Sequence, residues 1–367
     1  MSFAAHKVLL GGVSDASGLQ DLISKGEIEA NNVIAIVGKT EGNGGVNDYT
    51  RILADQAFRS TLLSAGTRSS TEIDQIPMAW SGGTDGVISP NAVVFSRDSV
   101  SLVDDGPSRM SVGISMSDPI KPEDIGRPEM VGAIARGVQS AMTQAGISDP
   151  GDVHFVQTKT PLLTMESISD ATSRGKTVFT HEPLESMAIS NGTAALGVAV
   201  ALGEIEMPKP EQIGRDLGLY CSVASCSSGV ELERGQIVVV GNAAGAGGRF
   251  RVGHSVMRDA IDSSAVYEAI RNAGVSLPNN PSPGDLQNQV VQVFAKAEAN
   301  PGGLLRGYRQ VMLNDSDVHH HRQIKAAVGG VIAAAVADPA IFVSVAALHQ
   351  GPPGGGPIAA IVELPDG

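Results

Sequence analysis

The sequence predicts an α/β (α+β) fold built from three similar strand–helix domains, and two observations support this. A short strand-like run that ends in lysine occurs three times, at intervals of roughly 120 residues. Each run is followed by a helical pattern of small apolar residues, and then by a second apolar run that carries a serine. The chain has 367 residues, which is ample for two or three domains.

The lysine-ending runs are rich in β-branched residues and short enough for strands. They cover residues 33–39, 153–159 and 290–296, and they end at Lys39, Lys159 and Lys296. The helical patterns follow at about 48–65, 187–202 and 323–337. The serine-bearing runs are 76–83, 219–229 and 340–346. A single lysine in a strand pattern is usually a solvated edge residue, but three in one arrangement indicate a shared role.

Composition shifts predict where the domains meet. The segment 104–108 (DDGPS) is typical of a linker, and so is the glycine-rich segment 241–248 (GNAAGAGG). The predicted domains are therefore 1–104, 112–249 and 254–367. An amphipathic pattern over 130–142 predicts a helix that opens the second domain, and a helix around 256–273 is expected to open the third.

The charge balance excludes several classes of partner. The formal net charge is −13, whereas nucleic-acid and anionic-membrane partners require clustered basic residues. The longest apolar stretch, 326–337, is far short of the roughly 20 residues that cross a membrane. The N-terminus lacks a signal-peptide pattern, and the two cysteines, Cys221 and Cys226, give no disulfide framework. We therefore expect a cytoplasmic protein with a small-molecule ligand.

Serine and lysine together are a known route to nucleophilic catalysis. A serine hydroxyl needs a base, and a lysine serves when burial or a neighbouring cation keeps it neutral near pH 7. No G-x-S-x-G segment is present, which disfavours a histidine-activated serine. Ser227 in the hydroxyl-rich segment 225–229 is the predicted nucleophile with Lys159 as its base, and Ser228 is a rival at this spacing.

Four segments resemble the cyanuric acid hydrolase/barbiturase family of ring-opening amidohydrolases. They are 39–51 (KTEGNGGVNDYTR), 81–90 (SGGTDGVISP), 195–204 (ALGVAVALGE) and 349–357 (HQGPPGGGP). The resemblance implies three domains around a pseudo-threefold axis, a central active site and a homotetramer. It also implies that Ser227 attacks a ring carbonyl after activation by Lys159.

The resemblance carries further roles onto this sequence. The residues expected to bind substrate are Lys39, Arg51, Ser81, Gly82, Asn191, Ser228, Lys296, Arg322, Lys325, Ser344 and Val345. No organic cofactor is implied. A structural divalent cation, Mg²⁺ or Ca²⁺, is implied at Glu298, Ala347, Gln350, Gly351, Pro352 and Gly355. Such an oxygen-rich set suits these cations better than zinc.

Three departures from the family pattern bear on the substrate. Asn191 stands where an arginine is expected, Lys325 or Arg322 fills the third basic position, and Val345 follows Ser344 where glycine is expected. Cyanuric acid offers three equivalent edges, whereas barbituric acid has one CH₂ edge. A site with altered binding groups favours the less symmetric ring, so barbituric acid is the predicted substrate. Cyanuric acid is the alternative, and a non-catalytic protein that binds cyclic imides is a further one.

The run 319–321 (HHH) invites a metal-site interpretation. Neighbouring residues on a helix point in different directions, so we expect these rings to diverge at a solvated helix start.

Overall fold

The computed structural model describes residues 1–98, 107–286 and 289–364. The first part contains β1 (Ser2–Leu9), α1 (Ser17–Ser24), β2 (Val33–Thr40), α2 (Thr50–Ala65), α3 (Ser70–Asp74), β3 (Met78–Gly82) and β4 (Asn91–Asp98). The second contains β5 (Arg109–Pro119), α4 (Pro128–Ala145), β6 (Val153–Pro161), α5 (Met165–Ser173), α6 (Pro183–Ala201), β7 (Ala224–Gly229) and β8 (Arg234–Ala243). The third contains β9 (Phe250–Met257), α7 (Ser263–Asn272), β10 (Val290–Lys296), β11 (Leu304–Leu305), β12 (Tyr308–Arg309), α8 (His320–Val336), β13 (Phe342–Ser344) and β14 (Gly356–Glu363). Short 3₁₀ turns lie at 30–32, 122–124, 150–152, 283–285 and 312–314.

Each part folds into a four-stranded sheet with the same strand order. The orders are β1-β4-β2-β3, β5-β8-β6-β7 and β9-β14-β10-β13. In every sheet the lysine strand pairs in parallel with the serine strand and antiparallel with the last strand. The predicted α/β fold of three similar domains is therefore confirmed.

The strand register places each lysine beside a serine. Lys39 pairs with Ser81, Lys159 with Ser227, and Lys296 with Ser344. Residues in register on neighbouring strands point to the same face of a sheet. The fold therefore produces three lysine–serine pairs in equivalent positions.

A shared hydrophobic core joins the three sheets. Phe3 and Phe95 from the first, Phe155 from the second, and Phe294 and Phe342 from the third belong to one buried cluster. The rings of Phe155 and Phe294 stack with centroids 4.3 Å apart. The first strands β1, β5 and β9 also contact one another in all three combinations. The sheets thus face inward around a pseudo-threefold axis.

The helices cover the outer faces of the sheets. Separate buried clusters join α1 and α2 to the first sheet, α4 and α6 to the second, and α7 and α8 to the third. Because both faces of the sheets are buried, the lysine strands β2, β6 and β10 are rich in apolar residues.

Some expected boundaries differ from the structure. Strands β5 and β9 precede the helices that were expected to open the second and third domains, and α7 begins only at Ser263. The glycine-rich segment 241–248 is not wholly a linker, because β8 continues through Gly241 to Ala243. A Cβ at Gly241 would overlap the backbone oxygen of Asp152, so glycine serves close strand packing there. Residues 104–106 of the other expected linker lie outside the described residues, and the domain limits stay a prediction.

Across the described residues, the structure contains no helix that is both long and apolar enough to span a membrane.

Candidate active site

Two of the three lysine–serine pairs are hydrogen-bonded. Lys39 Nζ lies 3.1 Å from Ser81 Oγ and 2.9 Å from the Gly82 carbonyl oxygen. Lys296 Nζ lies 3.2 Å from Ser344 Oγ and 2.7 Å from the Val345 carbonyl oxygen. Ser81 Oγ in turn lies 3.2 Å from Ser344 Oγ. A continuous polar chain therefore links two lysines from different domains.

Both of these lysines are fully buried. Burial, together with the nearby Lys325 ammonium, lowers the pKa of Lys39 well below its usual value. Burial lowers the pKa of Lys296 to about 7. Lys296 can therefore exchange a proton at neutral pH, which an ordinary surface lysine cannot.

The third lysine has a different partner. Lys159 Nζ forms an ion pair with Glu231 Oε1, and no hydrogen bond joins it to Ser227 among the described residues. Although burial opposes ionisation of Glu231, the Lys159 ammonium holds the pKa of its carboxyl below the usual value. The Glu231 side chain is 28% exposed, so this pair lies at the edge of the site.

Ser227 is the more accessible of the two candidate nucleophiles. Its Oγ lies 3.3 Å from Gln157 Nε2 and 3.4 Å from the Thr158 carbonyl oxygen. Ser228 is buried, and its Oγ lies 3.3 Å from the Met187 carbonyl oxygen. Ser227 is also the residue in register with Lys159, whereas Ser228 is in register with Thr160.

Arg51 is held by a loop of its own domain. Its guanidinium donates to the carbonyl oxygens of Gly45, at 2.9 Å, and Asp48, at 3.3 Å. The Asp48 carboxylate accepts from the Gly44 backbone N–H at 2.8 Å and thereby fixes this loop. Arg51 also lines a cavity of about 270 Å³ together with Lys159 and Glu231. We call this meeting of α2 with the second domain the Arg51 junction.

Lys325 occupies the matching place between the third and first domains, which we call the Lys325 junction. Its Nζ lies 2.8 Å from Asp85 Oδ2 and 3.4 Å from the Gly82 carbonyl oxygen. Arg322 also contacts Asp85, at 2.8 Å, but its side chain is 59% exposed, whereas that of Lys325 is 2% exposed. Lys325 is therefore the residue of α8 that faces the site.

Asn191 occupies the third place, between the second and third domains, which we call the Asn191 junction. It is buried on α6, and its Nδ2 lies 3.3 Å from the Ala346 carbonyl oxygen. Its Oδ1 is buried without a hydrogen-bond partner among the described residues. The Leu348 side chain lies against Gly192, the next residue of α6.

The expected cation-binding residues gather at one glycine-rich loop. Glu298 Oε2 accepts from the Ala347 N–H at 2.9 Å, and burial raises the pKa of the Glu298 carboxyl. The Gln350 side chain is already engaged, because its Oε1 accepts from the Cys226 N–H at 2.6 Å. Gly351 has φ of +83°, and the Gly355 N–H donates to the Pro352 carbonyl oxygen at 2.9 Å. The half-buried Glu298 carboxylate supplies the kind of oxygen ligand that a hard divalent cation takes.

The expectation that the histidine rings diverge is wrong. One ligand atom from each of His319, His320 and His321 lies within 4.8 Å of the others. His319 is the N-cap of α8 with extended backbone, so its ring is not constrained to the helical spacing. His321 is half-buried, and its Nε2 lies 3.8 Å from Glu298 Oε1.

Sequence reasoning missed two acidic residues of the site. Asp85 and Glu231 each lie four positions after a site serine, Ser81 and Ser227. This common offset is a signal that comparison of the serine segments could have detected.

Comparisons with known proteins identify the family of this chain. The family model described as amidohydrolase ring-opening protein matches residues 4–363. Barbiturase 2 of Nocardioides sp. (strain ATCC BAA-499 / JS614) is 60% identical over 363 residues, which are 98% of each chain. A cyanuric acid amidohydrolase of Bradyrhizobium diazoefficiens is 43% identical over 369 residues, covering 100% of this chain and 99% of the relative.

A solved structure agrees as well. A cyanuric acid hydrolase superposes with a TM-score of 0.93 at 38% identity, over 99% of both chains. This family consists of hydrolases, which argues against the alternative of a non-catalytic binding protein. The chain belongs to the ring-opening amidohydrolase family and is a cyclic amide hydrolase.

Proposed function

We propose that the protein opens the ring of barbituric acid by hydrolysis of one C–N bond. The observation that carries this proposal is the difference in similarity: 60% identity to a relative named barbiturase against 43% to one named cyanuric acid amidohydrolase. Both alignments cover nearly the whole chain, so the difference is not a matter of length.

The charges of the site support an acidic ring as substrate. Barbituric acid is a strong carbon acid and is an anion at neutral pH. The site brings together five basic side chains, Lys39, Lys159, Lys296, Lys325 and Arg51. Of the acidic groups around them, Asp85 and Glu231 lie in direct contact with Lys325 and Lys159. The Arg51 guanidinium attracts and orients a planar anion, and an anion bound beside Lys39 and Lys296 favours the charged forms of these two amines.

Ser227 is the proposed nucleophile. Its Oγ attacks a ring carbonyl carbon, the carbonyl oxygen becomes an oxyanion, and the ring C–N bond then breaks as the nitrogen takes a proton. Water hydrolyses the resulting serine ester to a carboxylate and free Ser227, which leaves a linear ureide. The accessibility of Ser227 and its register beside Lys159 support this assignment. Ser81 and Ser344, each bonded to a lysine, serve as donors to the other ring oxygens.

Lys159 is the proposed base, and Glu231 takes part in its action. In the ion pair the amine is charged and cannot accept a proton. Transfer of one proton from Lys159 to Glu231 gives a neutral pair, and a ring that displaces water from the site favours that neutral form. The neutral amine then removes the proton of Ser227 and later returns it to the leaving nitrogen.

A structural cation is proposed at the loop beside Glu298. The Glu298 carboxylate and carbonyl oxygens from Ala347, Gln350, Gly351, Pro352 and Gly355 would hold Mg²⁺ or Ca²⁺. The cation would neutralise a carboxylate whose ionisation is opposed by burial, and would brace the loop that follows Ser344. The homotetramer also stays a proposal, which light scattering at several protein concentrations would test.

The test is hydrolysis of barbituric acid and cyanuric acid measured side by side, by loss of ring absorbance and by chromatography of the product. We expect barbituric acid to be opened with the higher kcat/KM, and Ser227→Ala to abolish turnover while Ser228→Ala retains it. A higher kcat/KM for cyanuric acid would refute the substrate assignment. Full activity of Ser227→Ala would refute the nucleophile.

A further inference from the structure

The three junctions of the site follow one rule of construction. At the Lys325 and Asn191 junctions a polar residue of a helix contacts the loop that follows the serine of the next domain around the axis, and at the Arg51 junction the helix residue and that loop line one cavity. Lys325 reaches Gly82 and Asp85, four residues after Ser81. Arg51 lines the same cavity as Glu231, four residues after Ser227.

The Asn191 junction obeys the same rule but carries no charge. Asn191 reaches the Ala346 carbonyl oxygen, two residues after Ser344. The residue four positions after Ser344 is Leu348, and it lies against Gly192 beside Asn191. Where the base is replaced by an amide, the matching acid is replaced by a leucine. At the Lys325 junction the base and the acid are partners, so changing only one of them at a junction of that kind would leave a buried charge without its partner.

We propose that Asn191 and Leu348 together determine specificity, by receiving the C5 edge of the barbituric acid ring, which is CH₂ in the neutral ring and CH in the anion. This inference rests on the proposed function and adds an orientation to it. A ring with three equal edges suits three equal junctions, whereas this site has two charged junctions and one neutral one. The C5 edge, which differs from the other edges of the ring, is therefore expected at the neutral Asn191 junction.

The donors at the junction agree with this orientation. One N–H of Asn191 Nδ2 donates to the Ala346 carbonyl oxygen, so this amide has fewer donors left for the ring than an arginine fork would have. An arginine there would face a CH₂ edge with buried donors unpaired, which is costly.

The rival orientation places a ring N–H against the Asn191 oxygen. The apolar Leu348 side chain favours the CH₂ edge instead. A cavity of about 440 Å³ adjoins the junction, and its lining includes Ala188, Leu348 and Pro352 together with Glu298 of the proposed cation site. An apolar substituent on C5 would lie against Leu348, whereas a substituent on a ring nitrogen faces one of the charged junctions.

Two methylated rings distinguish these orientations without any change at the junction. Calorimetry on the Ser227→Ala chain measures binding of 5-methylbarbituric and 1-methylbarbituric acid without turnover. We expect the 1-methyl ring to bind at least about tenfold more weakly than the 5-methyl ring, because it loses a hydrogen bond at a charged junction. Equal binding, or tighter binding of the 1-methyl ring, overturns the orientation.

Substitutions test the junction directly. The double variant Asn191→Arg/Leu348→Glu restores an acid–base pair, and we expect it to lower the ratio of kcat/KM for barbituric acid over cyanuric acid by at least about tenfold. Leu184→Glu, on the exposed side of α6, is the matched control and should leave the ratio unchanged. A folded double variant with an unchanged ratio overturns the proposal.

The two proposals fail in distinguishable ways. If wild-type protein does not open barbituric acid, the proposed function fails, and the methylated rings still decide which edge meets Asn191. If barbituric acid is opened but the methyl groups are tolerated equally, only the orientation fails.

Discussion

Replacing Asp85 by asparagine should destabilise the protein strongly. The Asp85 side chain is 8% exposed and contacts the Lys325 ammonium, 2% exposed, at 2.8 Å. Asparagine keeps the shape but leaves Lys325 as a buried charge without a carboxylate. Breaking a buried ion pair in this way costs about 3–5 kcal/mol. Urea unfolding measures the loss, with the buried Trp80, the sole tryptophan of the sequence, as fluorescent reporter.

Two further variants make this measurement decisive. Asp85→Asn/Lys325→Met removes both charges and should recover at least half of the lost free energy of unfolding. Asp118→Asn breaks the ion pair between Asp118 and Arg136, whose two side chains are 67% and 63% exposed, respectively. This substitution should lower the free energy of unfolding by less than about 1 kcal/mol. A loss in Asp85→Asn no larger than in Asp118→Asn would refute the reasoning.

The same pair predicts a pH dependence. Burial opposes ionisation of Asp85, but Lys325 and Arg322 hold its pKa below the usual value. In the unfolded chain an aspartate titrates near its usual pKa of about 3.9. The stabilisation is therefore fully present above that pH and is lost as the pH falls through the lower folded pKa. The stability difference between wild type and Asp85→Asn should shrink over this acidic range.

Three other predictions concern the proton partner, a histidine pair and a close contact. Glu231→Gln should lower kcat by about 10²-fold or more with little change in KM. The control Glu233→Gln changes an exposed residue and should have the kcat of wild type. Equal kcat values for Glu231→Gln and wild type would contradict the proton transfer. Burial and the neighbouring His254 lower the pKa of His154 to about 4. The free energy of unfolding should therefore decrease as the pH falls from about 6.5 to 4, because the unfolded chain binds the proton more readily. This decrease should be smaller in His154→Gln, and Tm measured at each pH tests it. Gly113→Ala places a Cβ against a backbone oxygen of α4 and should cost about 1–3 kcal/mol in urea unfolding; an unchanged midpoint would refute this.

The lysine and serine strands could be predicted from the sequence because their signals are local. Runs of seven residues rich in β-branched side chains predicted β2, β6 and β10, and the helical patterns predicted α2, α6 and α8. Strands β1, β4, β8, β14, β5 and β9 were not predicted, and the last two each hold glycine and polar residues within them. Gly113 and Gly253 are needed there because helices pack directly on these strands.

The site was harder to predict because its partners come from different domains. Lys159 was expected beside Ser227, and the register confirms that they are neighbours, but Glu231 holds the amine. Spacing alone could not choose between Arg322 and Lys325, whereas burial does. An ion pair between side chains far apart in the chain has no local signature. Only the common offset from each serine hints at Asp85 and Glu231.

The covalent joining of three similar domains has a consequence for how such a site can diversify. In a ring of three identical subunits every substitution appears three times, so all corners must change together. Here each corner is encoded separately, so one corner can hold Asn191 with Leu348 while another holds Lys325 with Asp85. A single chain that contains all three domains can therefore lose the threefold symmetry of its site one junction at a time. In this way the site can adapt to a substrate that is not threefold symmetric.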